Sequence, residues 1–185
     1  MRLFIAVYPP DDVADDLALL ISRLHVSTQD VNTRLARRDT WHVTLAFLGE
    51  VPDDQAPDAA GAITKAVNDI AAPELRIAGG GRFGRGRFTI LWAGVEGELD
   101  PLARRVRREL KRSRVAYDRK PFRPHLTIAR PGDRLDRALI DEDRATLAGY
   151  RGPSWRVPAV ELVRSRLGPK PTYERIHREP LTIAT

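Results

Sequence analysis

The sequence predicts a duplicated fold of strands and helices closing into one compact unit, and three observations predict it. The string TWHVTLAFLGE at residues 40–50 returns as RPHLTIARPGD at residues 123–133, which places His42 and His125 nearly half of the 185-residue chain apart. Strand-like alternation and helical apolar stripes surround both copies. No Gly-, Ser- or Pro-rich linker separates the halves, so they are expected to pack together as a single domain over residues 1–185. A chain of this length buries one substantial core. With 42% hydrophobic and 30% charged residues, it reads as globular rather than disordered.

The first element is the strand RLFIAVY, with Leu3, Ile5 and Val7 on one face and Phe4, Ala6 and Tyr8 on the other. A helix follows, capped by Asp11 or Asp12, with Val13, Leu17, Leu20, Ile21 and Leu24 as its apolar stripe and an exposed His25 at its end. After the first motif strand, VPDDQAPDAAGAITKAVNDIAA turns helical and buries Ile63, Ala66, Val67 and Ile70. LRIAGGGRFGRGRFTILWAGV reads as two strands joined by a glycine-rich turn, without the strand-loop-helix context of a nucleotide phosphate loop. LDPLARRVRRELKRSRV is a helix that buries Leu99, Leu102, Val106 and Leu110 and carries seven basic residues outward from Arg104 to Arg114. That row suits a solvated face and a nucleic-acid contact equally well. The second motif strand comes next, then a helix from Asp136 to about Ala148, then strands in SWRVPAVELVRSRL and TYERIHREPL.

Composition narrows the chemistry. Zero cysteines exclude disulfides, thiolate metal sites and a cysteine nucleophile, and suit a reducing cytoplasm. The opening MRLFIAVYPPDD is too short in its apolar run for a secretory signal, and no run is long enough to span a bilayer. The formal charge of +6 favours an anionic partner, phosphate-bearing ligands first. The expected setting is therefore cytoplasmic, off the membrane and monomeric.

Strict alternation puts Trp41, Val43, Leu45 and Phe47 on the core side of the first motif strand and His42, Thr44 and Ala46 on the other. In the second, Leu126 and Ile128 point inward while His125, Thr127 and Ala129 share the opposite face. A merely structural repeat preserves its core residues first, whereas here the outward His, Thr and Ala are the identical ones. Two imidazoles with two hydroxyls suit proton transfer at a phosphate: one ring takes a proton from the nucleophile, the other gives one to the leaving oxygen, and the threonines donate to the non-bridging oxygens. No metal or other cofactor is required, since no Asp, Glu or Cys stands at ligand spacing from either histidine. Nor is there a serine nucleophile elbow.

At these residues the sequence resembles the two-histidine (2H) phosphoesterase superfamily, defined by two H-x-T-x motifs. Within it the chain is similar to the RNA 2',3'-cyclic phosphodiesterases, also called 2'-5' RNA ligases. RLFIAV, WHVTLAFLGE, FTILWAGV, FRPHLTIAR and SRLGPKPTYERI carry the likeness in order and spacing. The resemblance implies a bilobal α+β fold, an antiparallel sheet with helices in each lobe, and the motifs facing each other across a central cleft. It also implies hydrolysis of RNA 2',3'-cyclic phosphate ends to 2'-phosphates, with His42 as proton donor, His125 as proton acceptor, and Thr44 and Thr127 holding the phosphate. Arg130 matches a substrate-binding arginine, and a break in alternation is needed for it to reach the cleft. The alternatives are 2'-5' ligation by reversal, hydrolysis of a small cyclic phosphate, and an RNA-end-binding module without turnover; the intact motifs disfavour the last, because binding alone needs cations rather than a donor–acceptor pair.

Overall fold

The computed structural model describes residues 1–168 and 171–182; Pro169 and Lys170 of the closing stretch lie outside the described residues. The order of elements is β1 (Arg2–Val7), α1 (Asp11–Ile21), β2 (Val43–Glu50), α2 (Ala56–Val67), β3 (Glu74–Phe83), β4 (Ile90–Gly97), α3 (Leu99–Arg112), β5 (His125–Ala129), α4 (Arg137–Ala148), β6 (Arg151–Arg156), β7 (Ala159–Arg166) and β8 (Thr172–Pro180). The fold is α+β. Its strands form two four-stranded antiparallel sheets, β2-β1-β7-β8 and β5-β4-β3-β6. No helix among the described residues is long and apolar enough to cross a membrane.

The two sheets do not coincide with the two halves of the chain. β7 and β8 come from the C-terminal end, yet they complete the sheet begun by β1 and β2. The helices cross over as well. α1, which follows β1, packs on β6 of the second sheet, while α3, which follows β4, packs on β2 of the first. α2 covers β7 and β8, and α4 covers β3 and β4. One contiguous apolar cluster consequently runs through both sheets, from Leu3, Ile5 and Leu45 to Leu91, Leu126 and Ile128. Each such fully buried aliphatic side chain contributes roughly 1.5–3 kcal/mol.

Several local expectations change on contact with the structure. Asp11 and Asp12 lie in the first turn of α1 rather than capping it; the cap position is Pro10. There the carboxylates favour the positive end of the helix without accepting a capping bond. Gly79, Gly80 and Gly81 lie inside β3, not in the turn, which begins after Phe83. His25 is exposed, but Asp143 of α4 binds both its backbone N (2.7 Å) and its Nδ1 (2.9 Å), so it ties the loop after α1 to the helix that covers β3 and β4.

Gly94 shows how tightly the second sheet is drawn. It pairs with His125 across β4 and β5, and a Cβ placed there would stand 2.4 Å from the Ala78 carbonyl oxygen. Only the absence of a side chain allows that approach. Gly94→Ala is expected to lower Tm by roughly 2–10 °C through overpacking, read by thermal denaturation. An unchanged Tm would show that β3 shifts freely at this point.

Candidate active site

Both motif strands break alternation at the same place. In β2, Thr44 pairs with Ala6 and Ala46 with Ile5, which leaves Leu45 as an extra residue; in β5, Thr127 pairs with Trp92 and Ala129 with Leu91, which leaves Ile128 extra. These are β-bulges, and each turns two successive side chains inward. Leu45 and Ala46 are buried in the core, as are Ile128 and Ala129. Ala46 and Ala129 are therefore core residues, not neighbours of the histidines as strict alternation predicted. The residues after them flip to the opposite face. Phe47, expected in the core, packs instead on Phe4, Ala6, Tyr8 and Val163. The bulge at Ile128 supplies the break in alternation expected before Arg130, which follows the last residue of β5 and is exposed.

Each bulged residue's carbonyl is caught from outside its sheet. Arg107 Nε donates to Leu45 O (3.0 Å), and Ala36 N donates to Ile128 O (2.7 Å). Asp118 N bonds Phe47 O (2.7 Å), and Arg130 N bonds Thr33 O (3.1 Å). The loop leading into each motif thus covers the free edge of the other motif strand, satisfying backbone groups that an edge strand leaves open.

The two histidines are held alike. His42 Nδ1 lies 2.6 Å from Thr40 O and His125 Nδ1 lies 2.6 Å from Arg123 O. A carbonyl only accepts, so both Nδ1 atoms carry protons and both Nε2 atoms are free for chemistry. Aromatic rings flank each imidazole. His42 stacks on Phe4 (centroids 4.6 Å apart, planes at 26°), meets the edge of Tyr173 at 5.4 Å, and has Tyr8 at 5.7 Å. His125 meets Phe83 edge-on at 4.9 Å and Trp92 at 6.0 Å. Trp92 fits because Gly81, opposite it on β3, leaves room for the indole; a Cβ there would stand 2.5 Å from the ring.

The surroundings are electrostatically unequal. Burial pushes the His42 imidazole down from 6.5 to about 4, against the Thr40 hydrogen bond, which favours the charged form; the charges of His125 and Arg130 lower it further. His42 is thus neutral at pH 7 in the free protein. Thr44 and Thr127 are half-buried, and among the described residues neither hydroxyl has a protein partner. No cluster of three or more potential metal ligands occurs among the described residues.

Sequence reasoning missed one polar group beside this site. Glu161 of β7 is buried, 3.0 Å from Arg175 Nε and 3.8 Å from Arg178 Nε, and burial pushes its carboxyl up. Arg175 in turn lies over the Tyr8 ring at 4.0 Å. Burial pushes the Tyr8 phenol up to about 12, opposed by Arg175. The partners of Glu161 lie on β8, so the stretch around it carries no signal of the pairing.

A family model described as the 2'-5' RNA ligase superfamily matches residues 9–169. An RNA 2',3'-cyclic phosphodiesterase of Thermus thermophilus is 31% identical, over 94% of this chain and 86% of that one. Another, of Geobacillus stearothermophilus, is 33% identical over 77% of this chain, which spans about half the length of that relative (46%). Among solved structures, TT0787 of Thermus thermophilus superposes with a TM-score of 0.78 at 27% identity, covering 98% of both chains. LigT of E. coli in its apo form shares the fold, with a TM-score of 0.73 at 23% identity over 98% of this chain and 97% of that one.

Proposed function

We propose, since this chain belongs to the 2'-5' RNA ligase superfamily, that it opens the 2',3'-cyclic phosphate at RNA ends by metal-independent acid–base catalysis. The observation that carries this reading is the matched pair of imidazoles, each with Nδ1 tied to a backbone carbonyl and Nε2 free. His125 Nε2 takes a proton from water, whose oxygen attacks phosphorus. The P–O3' bond breaks, and His42 gives its Nε2 proton to the departing 3' oxygen, leaving a 2'-phosphate. Thr44, Thr127 and Arg130 hold the non-bridging oxygens as charge builds there.

His42 must be protonated to act as the donor, and burial opposes this in the free protein. The bound cyclic phosphate carries a negative charge that favours imidazolium, so substrate itself arms the acid. Because the donor form of His42 is lost as pH rises, the limb of kcat/KM set by His42, which reports the free protein, is expected near pH 4. The corresponding limb of kcat is expected about one unit or more higher, because the anion raises the pair. Limbs that coincide near 6.5 in both profiles would show that His42 is not the buried, neutral ring.

The direct test is incubation with an RNA oligomer ending in a 2',3'-cyclic phosphate, with the product identified as a 2'- or 3'-phosphate. A 2'-phosphate formed at full rate in excess EDTA is the expected result. Loss of activity in EDTA, restored by a divalent ion, would overturn the acid–base assignment. Binding without turnover of any cyclic phosphate would favour an RNA-end-binding module.

A further inference from the structure

The positive surplus of this chain is unevenly placed. On α3 the arginines are largely engaged: Arg104 with Asp100, Arg108 and Arg112 with Glu109, and Arg105 and Arg107 with backbone carbonyls. The contact with nucleic acid that this helix offered in sequence is weakened accordingly. Beside His42, Arg175 and Arg178 share Glu161, and Arg38 pairs with Asp11 and Asp15.

The C-terminal end of β5 is different. Among the described residues Arg34, Arg85, Arg87, Arg130 and Arg134 have no carboxylate partner. The backbone gathers them into one lip. Arg130 N bonds Thr33 O (3.1 Å) and Arg34 O (3.3 Å), Gly132 N bonds Thr89 O (3.4 Å), and Arg134 N bonds Pro131 O (3.2 Å). Asp133 and Asp136 line the adjoining depression of about 290 Å³, and Asp136 is engaged in capping α4 through Ala138 N.

The same lip holds out an aromatic ring. Phe88, at the turn between β3 and β4, is 66% exposed, with the Arg87 guanidinium 4.7 Å from its centroid. That turn starts at Phe83, whose ring touches His125. It therefore leads outward from the wall of the proposed catalytic cleft. Cations beside an exposed aromatic suit single-stranded nucleic acid, whose phosphates meet the charges and whose bases stack.

The geometry points to a track for single-stranded RNA over this lip, with phosphates 5' of the reacting end against Arg34, Arg85, Arg87 and Arg134 and one base stacked on Phe88. The track rests on the cyclic-phosphate reading and deepens it: the preferred substrate class is an oligonucleotide, not a free nucleoside 2',3'-cyclic phosphate.

The test compares a 2',3'-cyclic mononucleotide with a short RNA bearing the same end, in the wild type, in Arg85→Gln/Arg87→Gln and in Phe88→Ala. Each variant is expected to raise KM for the RNA by about tenfold, from lost phosphate contacts or a lost stacked base, with kcat retained. Both kinetic constants for the mononucleotide are expected to stay unchanged. The double variant should also flatten the log–log salt dependence of RNA binding by about 1.4, roughly 0.7 for each phosphate contact on a single strand. Unchanged RNA kinetics would overturn the track and leave the lip to a protein partner; equal losses on both substrates would overturn it by assigning these residues to the reacting phosphate. A wild type that turns over neither substrate would remove the cyclic-phosphate reading and the track with it.

Discussion

His42→Ala and His125→Ala are each expected to cut turnover of an RNA 2',3'-cyclic phosphate by about 10²–10⁴-fold, the usual contribution of a positioned acid or base. The double variant should be little worse than either single one, because donor and acceptor act as a unit. Substrate should still bind, held by Thr44, Thr127 and the arginines at the end of β5. His42→Ala also opens a space between Phe4, Tyr8 and Tyr173, so its fold needs an independent check by thermal denaturation and circular dichroism. His42→Gln fills more of that space and should be as inactive as the alanine variant. A folded variant of either histidine with full turnover would reduce that ring to an aromatic packing element.

Thr44→Val and Thr127→Val are expected to lower turnover by roughly ten- to a thousandfold, since each removes a donor needed most as charge builds on the phosphate. Valine keeps the β-branched shape that suits a strand. Because neither hydroxyl bonds another group among the described residues, Tm should hold. That combination separates the chemical role from a structural one. Unchanged turnover in both variants would make the threonines strand formers and nothing more.

Much of this was legible in the sequence because it rests on local periodicity. The apolar stripes of α1, α2 and α3 bury Leu17, Ile63 and Leu102 as spacing predicted. The repeated His and Thr share a face because two residues along a strand return to the same side. The helix expected from Asp136 to about Ala148 is α4, which starts at Arg137 with Asp136 as its cap. The site also departs from the pattern, at the bulged Leu45 and Ile128. A bulge depends on the partner strand's register, and β1 and β4 lie far from the motifs in sequence.

The sequence by itself determined the strand and helix order and the pairing of one His with one Thr in each motif, and its net charge set the expectation of an anionic partner. These follow from side-chain period, residue chemistry and net charge, all readable without neighbours. Only the tertiary structure decided that Phe47 packs on Phe4 and Tyr8 rather than in the main core, that β7 and β8 complete the first sheet, and that His42 is held near 4. Each of these depends on chain segments remote from the motif: the register against β1, the C-terminal strands, and a burial built from Phe4, Tyr8 and Tyr173. Desolvation and register are properties of the packed surroundings, so no window of sequence around His42 contains them.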